Sequence, residues 1–222
     1  MSCETSKVPI PAQPIYPFHT QVHAQVPAKA PAKSSAKAPA DCGAEDIRLR
    51  PIAVADAPAV NAYRSLAEVA RYLPHPPQSL VDTELTVDAM VAQRDFATPG
   101  QWLDLAVELG SSPEIVGEVL LKWDGDNWRR GEIGFVFSPT VQGRGVAFAA
   151  CTAALDLAFN HFGWHRVEGI CDDRNEKSAS LMTRLGMRLE ATFVEADWSK
   201  GEWITLRHYA ILSREWPFHE PD

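Results

Sequence analysis

Ser138-Pro-Thr-Val-Gln-Gly-Arg-Gly-Val-Ala-Phe-Ala-Ala150 joins two unlike patterns. Before it, EIGFVFS (132–138) is a short apolar run of strand character; after it, GVAFAACTAALDLAFNHF (145–162) is long, rich in Ala and Leu, and helical. Glycine at 143 and 145 permits a tight turn, and the first amides of a helix have no partner within that helix. Such a strand-turn-helix can cradle a phosphate oxyanion, with Arg144 as a charge-assisted donor. The same residues also suit a plain helix-start turn with a solvent-facing Arg. The spacing is neither that of the dinucleotide fingerprint GxGxxG in a βαβ unit nor that of the GxxxxGK[ST] loop.

Working outward, WLDLAVEL (102–109), IVGEVLLKW (115–123) and EIGFVFS read as three successive strands joined by short turns, a meander rather than a chain of βαβ crossovers. Upstream, IRLRPI (47–52) alternates as an edge strand, and ADAPAVNAYRSLAEVARYL (55–73) has helical period, with Asp56 as cap and Pro58 in the first turn. PHPPQS breaks that pattern before a second helix over 79–94. Downstream, HRVEGIC (165–171) is a strand. EKSASLMTRLG (176–186) is a helix with Asn175 as its cap and Gly186 as its terminator. MRLEATFVEADW (187–198) and EWITLRHYAILSREW (202–216) form a closing antiparallel pair. The expected class is α/β or α+β, with a mixed sheet in one domain over 45–222.

Residues 1–44 differ: they hold 7 of the 17 prolines, no Arg and the run AQVPAKAPAKSSAKAPA, which offers too little apolar area to offset ordering. This segment is expected to be a disordered arm. It is formally +2, so 45–222 carries −10 of the chain's −8 total. That balance disfavours nucleic acid and anionic membranes as partners and favours a cationic one. No stretch suggests a transmembrane helix or a secretory signal, so the cytoplasm is the expected location. The four cysteines (3, 42, 151, 171) have neither metal spacing nor a disulfide framework.

The order strand-QGRG-helix, then HRVEGICDDRNEKSASLMTRLGMRLEA and GEWITLRHYAILSREW, with IRLRPIAVADAPAV in front, resembles the GCN5-related N-acetyltransferases (GNAT). The likeness is strongest to the ribosomal-protein-alanine and aminoglycoside-type branch, and it covers nearly all of 45–222. It implies acetyl-CoA as donor, a primary amine as acceptor, and a mostly antiparallel mixed sheet whose fourth and fifth strands splay apart to admit the donor. Carried onto this chain, Gln142, Gly143, Arg144, Gly145, Val146 and Ala147 match the pyrophosphate loop. Phe135, Val136 and Phe137 match the strand that hydrogen-bonds the pantetheine arm; Asn175 and Ser178 match polar positions on the flanking helix. For Asn175 a simple cap, and for Ser178 a surface hydroxyl, are the alternatives.

Acetyl transfer to an amine requires a proton acceptor, and a donor near the departing thiol can assist. Glu118 and Glu132 are the candidate bases, with Glu108 and Asp172 as looser alternatives. Relatives often place a Tyr near the thiol, whereas this chain has Met182, which leaves Ser178 as the candidate acid. Two further departures are Ala149, where relatives carry an acidic residue, and Trp203-Ile204-Thr205 in place of Trp-x-Asp. Cys151 reads as a buried thiol, Cys171 ends a strand with no obvious activating base, and His161 and His165 lack the spacing of a metal site, so no metal is expected. Transfer is then direct, in a ternary complex, to a small-molecule amine or a protein N-terminus. Loops 73–79 and 123–130, with Trp123 and Trp128, could shape the acceptor pocket. A noncatalytic acyl-CoA-binding module and a succinyl-CoA donor stand as alternatives, and an exposed sheet end could pair in a homodimer.

Overall fold

The computed structural model describes residues 22–25, 46–110, 114–124 and 129–217. Eight strands form one sheet: β1 (Val22–Gln25), β2 (Asp46–Pro51), β3 (Trp102–Leu109), β4 (Ile115–Trp123), β5 (Arg130–Phe137), β6 (Arg166–Asp172), β7 (Arg188–Ser199) and β8 (Glu202–Leu212), in the order β1-β2-β3-β4-β5-β6-β8-β7. Every pairing is antiparallel except β5 with β6. The helices are α1 (Ala57–Arg64), α2 (Ala67–Ala70), α3 (Leu80–Gln93), α4 (Val146–Asp156) and α5 (Glu176–Arg184).

The alternation of β3, β4 and β5 gives the sheet two apolar faces. Leu103, Leu105, Val119, Leu121 and Ile133 join the small residues of α4 and the Ala179, Leu181 and Met182 face of α5 in the larger core. Ala106 and Val136, on the opposite face, meet Val60 and Tyr63 of α1 and Val87 and Met90 of α3. The mixed, mostly antiparallel sheet flanked by helices is the architecture expected from sequence.

Three local expectations are corrected. Periodicity over 55–73 suggested one helix, but α1 ends at Arg64 and α2 starts at Ala67 after Leu66, which is extended at ψ 129°. Asp56 does not cap α1 with its side chain. Its carboxylate instead accepts from the Ala53 amide at 2.8 Å and from Arg50 at 2.7 and 2.8 Å. Thirdly, Val22–Gln25, inside the segment 1–44 expected to be disordered, pairs with Asp46–Leu49 as β1. The outer edge of β2 presents a row of backbone donors and acceptors that an extended segment can satisfy. The rest of that arm, residues 1–21 and 26–44, lies outside the described residues. Among the described residues no helix is long and apolar enough to cross a membrane.

Candidate active site

The opening in the sheet lies between β5 and β6. The two strands pair at only three positions, Arg130 with Arg166, Gly131 with Val167 and Glu132 with Glu168. Beyond them β6 continues along β8 while β5 continues along β4, so Ile133–Phe137 has a neighbour on one side only among the described residues. This is the splay between the fourth and fifth predicted strands. Phe135 and Phe137 turn their rings toward the larger core and Val136 faces α1 and α3. What these three residues leave toward the gap is backbone, a ladder edge onto which amide groups can be added.

Both strands run their carboxyl ends toward the same mouth, and each is followed there by a helix N-terminus. After β5, a turn over Pro139–Val141 leads to Gly143 and Gly145 at φ 75° and 83°. Gly145 is the N-cap of α4 and supplies no side chain to its first amides. The left-handed conformation explains glycine here, since a Cβ in that region is sterically costly. Buried Val146 and half-buried Ala147 begin the helix, and Arg144 is exposed beside it. After β6, Asn175 caps α5 by accepting from the Ser178 amide at 3.2 Å, so Asn175 serves as a helix cap. Ser178 itself is half-buried. Lys177 Nζ donates to Gln142 Oε1 at 2.8 Å, which ties the two helix starts together across the mouth. The uncapped start of α4, with Arg144 beside it and the N-terminus of α5 across the mouth, has the chemistry to receive an anionic group.

The candidate carboxylates fall into different environments. Glu118 on β4 is 0% exposed; Arg64 Nε donates to its Oε1 at 2.7 Å and a second guanidinium nitrogen ion-pairs with the same oxygen. Desolvation pushes its carboxyl up, while Arg64 pulls it down. Arg64 also donates to His75 Nε2 at 3.0 Å, which leaves His75 Nδ1–H to donate to Pro76 O at 2.9 Å. Loop 73–79 is thereby anchored to Glu118 through Arg64. Glu132 is half-buried at the last paired position of β5, opposite Lys122 of β4 and Glu168 of β6. Desolvation raises its carboxyl, Lys122 lowers it, and Asp124 and Glu168 raise it further.

The looser alternatives are occupied. Glu108 accepts from Arg48 at 2.6 Å and Arg50 at 2.7 Å. Asp172 accepts from Arg174 at 2.6–2.9 Å, and that bonding holds its carboxyl below the usual range. Met182 is buried against Gly169 of β6, and Ala149 packs in α4. Thr205 Oγ1 accepts from the Glu195 amide at 3.2 Å, where β7 has a register shift. Burial pushes the Cys151 thiol far up and the Cys171 thiol up to about 11. Among the described residues no group of three or more His, Cys, Asp or Glu could hold a metal ion. Trp123 is buried in the core, and residues 125–128, including Trp128, lie outside the described residues.

Sequence reading missed Asp104, a 3% exposed carboxylate on β3 whose Oδ1 has no hydrogen-bond partner. WLDLAVEL alternates, and the signal was an acidic residue at a position whose neighbours on both sides are apolar.

A model of the acetyltransferase (GNAT) domain matches residues 46–188. The uncharacterized N-acetyltransferase YnaD of Bacillus subtilis (strain 168) is 30% identical over 169 residues, 76% of this chain and 94% of the relative. The spermidine N(1)-acetyltransferase of Escherichia coli (strain K12) is 26% identical over 78% of this chain and 89% of the relative. The structure of Mycobacterium smegmatis RimJ in complex with CoA-disulfide aligns with a TM-score of 0.72, at 22% identity and 91% coverage of both chains. With the parted strands, the uncapped glycine loop and a family match over most of its length, the chain belongs to the GNAT family and is an acetyl-CoA-dependent N-acetyltransferase.

Proposed function

We propose that the chain transfers the acetyl group of acetyl-CoA directly to the primary amine of a cationic small molecule or a protein N-terminus, within a ternary complex. The observation that carries this reading is the parting of β5 from β6 after three pairs, with the uncapped start of α4 at its mouth. The donor thioester supplies an activated acyl carbon and a stable departing thiolate. The chain's own tasks are to hold the donor, orient the amine and take its proton.

Residues 142–147 suit the diphosphate: Gly143 and Gly145 let backbone approach closely, the amides of Val146 and Ala147 donate, and Arg144 adds charge. The free edge of Phe135–Phe137 suits the amides of the pantetheine arm, and Asn175 shapes the opposite wall by starting α5. Glu132 is the better proton acceptor of the two candidates, because it stands where the strands part, where desolvation raises its carboxyl, whereas Glu118 is held by Arg64. Glu118 is committed to Arg64 and acts as a positioning residue for α1 and loop 73–79. Ser178 is the candidate donor to the departing thiolate. The buried, weakly acidic thiols argue against an acetyl-cysteine intermediate. An excess of acidic residues and the spermidine-acetylating relative both favour a cationic acceptor.

The test is free-thiol release from acetyl-CoA by the full chain with polyamines, aminoglycosides, and basic and neutral peptide N-termini, and with succinyl-CoA alongside. Turnover with an amine is the expected result. Binding of acetyl-CoA without thiol release from any acceptor would instead support a noncatalytic acyl-CoA-binding module, and preference for succinyl-CoA would reassign the donor.

A further inference from the structure

On the sheet face beneath α1 and α3, several buried side-chain oxygens lack a hydrogen-bond partner, among them the Tyr63 hydroxyl and Glu118 Oε2. Gln78 Oε1 and Asp104 Oδ1 have no hydrogen-bond partner. Such oxygens only accept, and a fold satisfies buried acceptors wherever it can. Asp104 is short of a cation in particular: desolvation first, and then Glu118, push its carboxyl up to about 7 against the pull of Arg64.

Asp104 lines a cavity of about 430 Å³ together with Leu85, Met90, Gln93, Trp102 and Leu120. Its walls are aliphatic apart from the Trp102 ring, the Gln93 amide, a Thr86 hydroxyl and the carboxylate itself. The ring already receives a cation, with Lys122 Nζ 5.4 Å from its centroid.

Register connects this cavity to the parted strands. Asp104 pairs with Leu120, and Leu120 pairs with Gly134, so the three form one row across β3, β4 and β5 on the same face. Two interstrand steps put the Asp104 backbone roughly 10 Å from that of Gly134 across the strands. Gly134 lies two residues beyond Glu132, the last residue paired with β6. A Cβ there would sit 3.8 Å from the Leu120 side chain and 3.9 Å from the Trp102 ring, so the absent side chain keeps that end of the row clear.

We propose that Asp104 anchors one ammonium of an aliphatic diamine or polyamine in this cavity, with the alkyl chain lying over Leu120 and a second, neutral amine presented at Gly134 for acetylation. The inference rests on the acetyl-transfer reading and names its acceptor class. Two nitrogens separated by a short alkyl spacer fit the row. A monoamine leaves Asp104 without its cation, and the α-amine of a neutral peptide brings polar amides onto Leu120.

Calorimetric titration of the full chain, loaded with CoA, tests this with 1,4-diaminobutane, spermidine, n-butylamine and the peptide Ala-Gly-Ser. The expected result is diamine and spermidine affinity at least tenfold above that of n-butylamine. In Asp104→Asn that advantage should disappear while CoA affinity is retained, and unchanged or raised thermal stability would report an intact fold. Equal affinity for diamine and monoamine, preference for the peptide, absence of amine binding by the wild type, or an unaltered diamine affinity in Asp104→Asn would each overturn the proposal. Diamine binding that depends on Asp104 but yields no thiol release would leave the anchor standing and overturn the transfer reading instead.

Discussion

Glu118, Glu132 and Asp104 are three carboxylates on adjacent strands, and their surroundings differ. Glu118 is ion-paired with Arg64 through Oε1, Glu132 faces Lys122 at the parting of the strands, and Asp104 Oδ1 has no hydrogen-bond partner among the described residues. A base works only when ionised, so activity of the wild type should rise with pH through the raised Glu132 titration. Glu132→Gln should lower kcat by roughly 10²–10⁴-fold and flatten that limb, and Glu118→Gln should leave the limb in place. A kcat/KM profile against pH checks both; an unchanged profile in Glu132→Gln would remove its role. Arg144→Ala should raise the KM for acetyl-CoA about tenfold or more, the scale of a lost charge-assisted hydrogen bond, with the amine KM unaffected. Asp104 also enters stability. Its folded carboxyl, at about 7, is above its unfolded value of about 3.9, so the native state holds the extra proton between those values. Stability from this group is therefore present below the unfolded value and is lost as pH rises toward 7. The Tm of Asp104→Asn minus that of the wild type should be larger at pH 8 than at pH 4, as thermal melts would report.

At the scale of elements, the start of α4 was legible because glycine has a local reason to be there: φ of 75° and 83° at Gly143 and Gly145 is a backbone requirement written into residue type. Gly145→Val should cost about 1–3 kcal/mol through a β-branched residue in the left-handed region, lowering Tm by roughly 2–10 °C and weakening acetyl-CoA binding more than Arg144→Ala does. Melting curves and donor titrations of the two variants compare them. The break between α1 and α2 was not legible, because the apolar period runs through it. It is set by tertiary bonds: Arg64 turns inward to Glu118 and its carbonyl accepts from the Gln78 amide at 3.2 Å, which the continued helix would prevent.

Across the whole molecule, the sheet positions the site by what it leaves unpaired. The β5 and β6 edges part, and β8 rather than β7 takes the place beside β6. At the far side β1 covers β2, so a chain starting at residue 45 should stay folded but expose that edge, with a lowered Tm and more self-association in size-exclusion chromatography. An identical elution profile and Tm would show that β1 adds nothing.

Strand alternation, the glycine turn and the Asn175 cap are local, and they determined the order of elements and the mixed sheet from sequence alone. The unequal environments of Glu118, Glu132 and Asp104, the row from Asp104 to Gly134 and the recruitment of Val22–Gln25 depended on tertiary structure. Burial, strand register and ion pairing are properties of residues far apart in the chain, and a one-dimensional pattern carries no record of which of them meet.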